Sequence, residues 1–205
     1  MKKGLKINYL DFTTEKRKKK LISVLSNRQP SLTVVLENIN DPHNLSAVLR
    51  SCDAVGVLEA HLIYYGEQPF PHLSNTSSAS ASKWVNTIRF DSIQTSYEKL
   101  RKEGKKIYTT HMSKKAVSLY DLDLTEPVAL VFGNEHSGVS EDAANLADSN
   151  FLIPQVGMIQ SLNISVAAAV SLFEAYRQRM AAGMYDQPVF DEEQLQNMLE
   201  QWAAR

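Results

Sequence analysis

The chain has 205 residues, 43% of them hydrophobic and 22% charged, with a formal net charge of −1 at pH 7. That length supports one substantial domain with its own core, and the absence of any run of eighteen or more apolar residues argues against a membrane helix. The N-terminus has no apolar stretch of signal-peptide length, and Cys52 is the only cysteine; an intrachain disulfide and a cysteine-based zinc site are excluded, and a cytoplasmic location is expected.

Charge is unevenly spread. From Met1 to Arg28 nine Lys or Arg stand against Asp11 and Glu15, a surplus of +7, so the remainder carries −8. This asymmetry fits a basic arm that meets a polyanion, and it equally fits a solvated lysine-rich helix end. Thr13 or Thr14 can cap a helix running to about Asn27, with Leu21, Ile22, Val24 and Leu25 as its apolar stripe and Pro30 as its stop. Apolar and β-branched runs then read as strands: LTVVLENI, HLIYY, WVNTIRF, KKIYTTHM, PVALVFG and FLIP. Helical patterns fall between them: Asn44 to Val55, SIQTSYEKLRKEG closed by Gly104, SEDAANLAD, and SLNISVAAAVSLFEAYRQRM. Strands alternating with helices predict an α/β fold with a mainly parallel sheet and helices on both faces. The segment from Gln68 to Ser82, rich in Pro, Ser and Asn, reads as a long irregular loop. An acidic amphipathic helix, DEEQLQNMLEQWAAR, closes the chain. The predicted division is 1–30 as a basic helical arm, 31–182 as the main domain and 183–205 as a tail helix.

Three segments can carry chemistry. In NDPHNLSAVLRSCDAVGV, Pro42 precedes a helix starting near Asn44. Asn44 and Arg50 are six residues apart, about 1.7 turns, so they share a site only if Arg50 extends along the surface. The plain alternative is an N-cap and a solvated arginine. In VFGNEHSGVSE a buried strand ends in a loop bracketed by Gly133 and Gly138, and Ser140 can cap the next helix. Ligands bind at the carboxyl ends of parallel strands, so Glu135 and His136 are candidates for acid–base or hydrogen-bonding roles. A simple strand–turn–helix link is the alternative. In VGMIQSLNISVAAAV, Gly157 permits a tight turn, and Ser161 or Asn163 can cap the following helix. Its inward face is expected at Leu162, Val166, Ala169, Val170 and Phe173. One cap residue suffices, yet Gln160, Ser161, Asn163 and Ser165 crowd this helix start, an excess that suits either a ligand or an elaborate cap. No Gly-x-Gly-x-x-Gly follows the first strand and no phosphate-binding Gly-x-x-x-x-Gly-Lys-Ser/Thr occurs, which argues against a nicotinamide-dependent oxidoreductase or a nucleoside triphosphatase. The five histidines show no metal-ligand spacing.

These segments, in this order and spacing, closely resemble the SPOUT superfamily of RNA methyltransferases. The matching branch methylates the ribose 2′-hydroxyl of a guanosine, position 18, in the tRNA D-loop. The resemblance runs from about Gln29 to Tyr185. It implies a C-terminal deep trefoil knot, which periodicity does not show, and a homodimer that forms its S-adenosylmethionine site from knotted loops at the interface. It assigns Asn44, Arg50, Glu135, Ser161 and Asn163 to the catalytic pocket, and Thr110, Gly133, Ile153 and Leu162 to the cofactor. The basic arm then offers Lys16, Arg17, Lys18, Lys19, Lys20 and Arg28 as phosphate contacts on tRNA. No metal, membrane or DNA partner is implied. Two rivals remain: the same chemistry on ribosomal RNA or another tRNA position, and a catalytically silent RNA-binding factor of the same fold.

Overall fold

The computed structural model describes residues 9–66, 81–112, 115–134 and 137–205. Two units are resolved within it: one comprises residues 29–182, the other combines residues 1–28 with 183–205. The two terminal segments, read separately from the sequence, thus share one unit.

Among its described residues the larger unit holds seven strands: β1 (Gln29–Glu37), β2 (Val57–Ile63), β3 (Asn86–Phe90), β4 (Lys106–Thr110), β5 (Val117–Ser118), β6 (Val128–Phe132) and β7 (Ser149–Leu152). They form one sheet in the order β3-β2-β1-β6-β4-β7-β5, every neighbouring pair parallel. The central β6, VALVF, is buried at all five positions, as expected of a strand covered on both faces. The side-chain alternation of period two divides the core between those faces. Leu32, Val34 and Leu36 of β1, with Leu130 and Phe132 of β6, point to one cluster. Val35, Ala129 and Val131 point to the other.

The first face is covered by α2 (Pro42–Ala54) and α5 (Ile164–Ala181), through Leu45, Val48, Leu49 and Cys52 of α2 and Ile164, Ala168, Leu172 and Ala175 of α5. The second is covered by α3 (Ile93–Lys102) and α4 (Glu141–Leu146), through Ile93, Tyr97, Leu100, Ala143 and Ala144. Local rules start and stop these helices. Ser92, Ser140 and Asn163 each cap with a side-chain oxygen, as short polar residues do at the half-in position. Gly104, at φ +73°, closes the turn after α3 in the left-handed region.

Four local expectations change. Asp41, not Asn44, caps α2 and places Pro42 in its first turn; proline is tolerated there because that N–H has no intrahelical partner. Pro30 does not stop the first helix but lies inside β1, where the register with β2 is irregular between Gln29 and Thr33. β7 begins two residues before FLIP, and the two-residue β5 has too short a pattern to be seen. The inward face of α5 is also different. Its buried residues are Ile164, Ala168, Ser171, Leu172, Glu174, Ala175 and Arg179; Val170 of the expected face does pack, partly buried, against the core, while Val166, Phe173 and Met180 are 46%, 51% and 45% exposed. Ala168, Ser171 and Ala175 let α5 approach α2 closely, and Val166, Phe173 and Met180 are left outside.

Arg179 is fully buried at the C-terminal end of α5. Its Nε donates to the Leu124 carbonyl at 2.9 Å, Nη1 to Gln29 Oε1 at 3.1 Å and Ser31 Oγ at 2.8 Å, and Nη2 to the Glu126 carbonyl at 2.9 Å. A guanidinium has five donors and no acceptor, so oxygens alone can satisfy it. It ties the end of α5 to the amino-terminal ends of β1 and β6.

In the smaller unit α1 (Glu15–Ser26), capped by Thr14, packs with α6 (Glu192–Ala203). Leu21, Leu25, Leu199 and Trp202 are buried. Asp191 and Gln194 close a reciprocal capping box at the start of α6.

Candidate active site

All strands being parallel, their carboxyl ends share one edge of the sheet, and the motifs gather there. β1 leads through Asp41 into α2, whose first turn carries Asn44. Thr110 ends β4, Gly133 follows β6, and Ile153 follows β7. The chain then reaches Ser161, Leu162 and Asn163 at the start of α5.

Asn163 holds two of these segments together. Its Oδ1 accepts from the Ser165 N–H at 2.8 Å and from Ser165 Oγ at 2.6 Å, while its Nδ2 donates to Asn44 Oδ1 at 3.2 Å. The polar crowd at this helix start therefore does more than cap: one amide serves the helix and the neighbouring motif together. Gln160 and Ser161 are exposed. Thr110 Oγ1 donates to the Val131 carbonyl at 3.0 Å and binds the ends of β4 and β6 to each other. Ile153 packs partly buried against the larger core cluster, and Leu162 is half-buried.

Gly133 sits in a turn where only glycine fits. Asn134 and Gly138 exchange both backbone hydrogen bonds at 2.9 Å. A Cβ at residue 133 would meet the Gly138 carbonyl carbon at 2.1 Å. The missing side chain lets the backbone of Gly138 and Val139 close against residue 133, at the carboxyl end of a central strand, the end at which ligands bind in parallel α/β sheets.

Arg50 lies in the third turn of α2, exposed, with no side-chain hydrogen bond or ion pair among the described residues. Glu135 and His136 lie outside the described residues, as does most of the predicted loop from Gln68 to Ser82. Lys16, Arg17, Lys19 and Lys20 are exposed on α1, and half-buried Lys18 pairs with Glu15 at 2.8 Å. Arg28 is different. It is fully buried, its guanidinium 5.1 Å from the centre of the Trp202 ring. That placement suits cation–π packing within the smaller unit and withdraws Arg28 from the phosphate contacts.

Sequence reasoning passed over Glu37, Asn38, Tyr65 and Asn134, which link the loops at this edge. No local pattern in the sequence marks them; Asn38 stands at φ +52°, a left-handed conformation that asparagine tolerates better than most residues. A cavity of about 400 Å³ lies at the opposite, amino-terminal end of the strands, lined by Ser31, Leu58, Lys105 and Pro127 among others. Lys105 there is already bonded to Glu103 and Thr33. No group of three or more metal-ligating side chains occurs among the described residues, nor is any described helix long and apolar enough to cross a membrane.

Residues 31–173 match the model of the SpoU rRNA Methylase family. The chain belongs to the SpoU methylase family. Its relatives within and beyond that match are close. A Thermus thermophilus protein named tRNA (guanosine(18)-2′-O)-methyltransferase is 47% identical over 94% of this chain and 98% of its own. An Escherichia coli K12 protein of the same name is 40% identical over 81% of this chain and 72% of its own. Among solved structures, the Aquifex aeolicus TrmH/SpoU tRNA modifying enzyme superposes with a TM-score of 0.87, at 39% identity, over 93% of this chain and 96% of that one. The SpoU methyltransferase AviRb of Streptomyces viridochromogenes, solved with the cofactor AdoMet, gives a TM-score of 0.66 at 26% identity, over 77% and 64%. For this SpoU family member, the parallel sheet with helices on both faces is the family's own architecture.

Proposed function

We propose that this chain transfers a methyl group from S-adenosylmethionine to the ribose 2′-hydroxyl of the guanosine at position 18 in the D-loop of tRNA. The observation that carries the reading is the gathering of Asn44, Thr110, Gly133 and Asn163 at one edge of the sheet, with Asn163 bonded to Asn44. The names of close relatives that match along most of the chain supply the reaction and the substrate.

The methyl donor suits the residues present. Gly133 follows β6, Thr110 ends β4, Ile153 follows β7 and Leu162 precedes α5, so all four stand at the carboxyl end of the parallel sheet, where ligands bind in α/β folds. When bound, S-adenosylmethionine supplies an electrophilic methyl group on a sulfonium. A ribose hydroxyl is a poor nucleophile until its proton leaves. Arg50 forks onto the adjacent phosphate and holds a phosphate oxygen where it takes up that proton. Asn44 and Ser161 orient Arg50 and the ribose, Asn163 holds Asn44, and Glu135 fixes the loop or the donor. Alignment of the two reactants supplies much of the rate. Lys16, Arg17, Lys18, Lys19 and Lys20 give salt-dependent affinity for the RNA backbone.

The active form in this reading is a homodimer. Support comes from the exposed apolar row Val166, Phe173 and Met180 on α5 and from Val156, Met158 and Ile159 in the loop before it. Apolar surface of this kind marks an interface. The knotted threading shared by the superfamily belongs to the same proposal, and a tRNA substrate sets the enzyme in the cytoplasm.

The test is nucleoside mapping of unmodified tRNA after incubation with labelled S-adenosylmethionine. A ribose-methylated guanosine in the D-loop is expected; label confined to ribosomal RNA, or none, overturns the proposal. Arg50→Lys should cut transfer about a hundredfold, the scale of losing one charge-stabilising donor, while calorimetry shows S-adenosylmethionine binding unchanged. Full activity in that variant rejects the phosphate clamp.

A further inference from the structure

Glu37 ends β1 almost fully buried, with no cation paired to its carboxylate among the described residues. Both oxygens instead accept from neutral donors: Oε1 from the Tyr65 hydroxyl, Oε2 from the Ser140 N–H at 2.9 Å. Burying an anion is costly unless its hydrogen bonds are complete. Two donors converging on one side chain call for a group that only accepts, which a carboxylate is.

The three residues belong to three different connections. Glu37 leads into the link between β1 and α2, Tyr65 follows β2, and Ser140 closes the loop after β6. A second set of bonds repeats the pattern. The Asn38 N–H donates to the Ile63 carbonyl at 2.9 Å, its carbonyl accepts from Asn134 Nδ2 at 2.8 Å, and its Oδ1 accepts from the Tyr65 N–H at 3.4 Å. Asn134 in turn closes the turn with Gly138. The left-handed backbone of Asn38 lets one residue face both neighbours.

We propose that Glu37 and Tyr65, with Asn38 and Asn134, are positioning residues for methyl transfer: they hold the loop carrying Gly133 in fixed relation to the helix carrying Asn44 and Arg50. The inference rests on the proposed function for its kinetic consequence and on geometry alone for the link. One half of the link serves the methyl donor, the other the RNA. Each substrate binds through its own half, whereas transfer needs both halves in register. Loosening the link therefore lowers kcat while leaving each separate affinity nearly intact. Misplacement by an ångström can cost about a hundredfold in rate. Tyr65 also carries the imprint of its surroundings: burial and the hydrogen bond to Glu37 both raise its hydroxyl pKa, so it stays protonated and remains a donor.

Three variants test this: Tyr65→Phe, Glu37→Ala and Glu37→Gln. Tyr65→Phe and Glu37→Ala should each lower kcat about tenfold or more, within the range positioning errors cause. Dissociation constants for S-adenosylmethionine and for tRNA, measured separately, should stay within about threefold. Glu37→Gln should recover most of the rate, because its amide oxygen can take the Ser140 N–H while its NH₂ donates to a reversed Tyr65 hydroxyl. The double variant Tyr65→Phe with Glu37→Ala should fall little below the worse single one, since both break one link. Wild-type kcat in Tyr65→Phe overturns the inference, and so does a rate loss that appears wholly as weaker binding of either substrate. Amide hydrogen exchange at Asn134 and Gly138 reads the link without any chemistry: faster exchange in Tyr65→Phe supports it, and unchanged exchange overturns it. A wild-type protein that transfers no methyl group would reject the proposed function and leave the exchange measurement to judge the link.

Discussion

Asn163 makes its one amide serve two partners. Its oxygen completes the first turn of α5 and its nitrogen reaches Asn44, so the two contributions can be separated. Asn163→Asp keeps the capping oxygen and loses the donor; Asn163→Ala loses both. The alanine variant should unfold about 1 kcal/mol more easily in urea, the usual worth of a cap. The aspartate variant should keep the wild-type midpoint yet transfer methyl groups several-fold more slowly; equal rates in the wild type and the aspartate variant would count against the Asn44 contact. This double use was half legible in the sequence. The surplus of polar residues over capping need was visible, but the second partner lies 119 positions away and no local pattern points to it. Arginines show the same limit. Arg28 and Arg50 look alike in a string, yet one packs under Trp202 and the other stands in solvent, because neighbours from other elements decide burial.

Between β2, β4 and α3 runs a chain of charges that the alternation of strand faces creates. Glu59 bonds to His61 Nε2 at 3.0 Å and to Lys99 Nζ at 2.6 Å. Lys99 also pairs with Glu103, and Glu103 with Lys105 at 2.7 Å. Burial disfavours the Glu59 anion, but hydrogen bonds and charge from His61 and Lys99 outweigh it and hold the carboxyl at about 2, below its ordinary 4.5. A pKa depressed in the folded state adds stability that is complete above pH 4.5 and disappears as pH falls toward 2. Glu59→Gln should therefore be less stable than the wild type at pH 7 and lose less on going from pH 5 to pH 3. Urea midpoints at the two pH values check this; parallel losses in both proteins would contradict it. The element scale also holds the clearest misreading, the face of α5. Hydrophobicity alone favoured Val166 and Phe173 as the inner row. The real inner row mixes Ile164 and Leu172 with the small Ala168, Ser171 and Ala175, and small side chains at a helix–helix contact permit close approach.

For the molecule as a whole, the outward row on α5 becomes the decisive surface. Val166, Phe173 and Met180 recur at intervals of seven, two helical turns apart along one side, and Val156 and Met158 before the helix are almost completely exposed. Phe173→Glu places a charge in the middle of that row. It should turn a dimer into a monomer by light scattering and abolish methyl transfer, since the proposed donor site needs the second copy; a dimeric or fully active Phe173→Glu protein would show that the interface lies elsewhere. The alternation of apolar runs with helical periods was enough to specify a parallel α/β sheet, because a strand buried on both faces must be apolar throughout and a helix must bury one side. The caps at Ser140 and Asn163, and three motifs at the carboxyl ends of strands, were equally present in the string. Strand order, the direction in which α5 turns its bulky side chains, the burial of Arg28 and Arg179, and the Glu37–Tyr65–Ser140 link were settled only in three dimensions. Each depends on contacts between residues far apart in the chain, and local sequence carries no record of which distant partner will arrive.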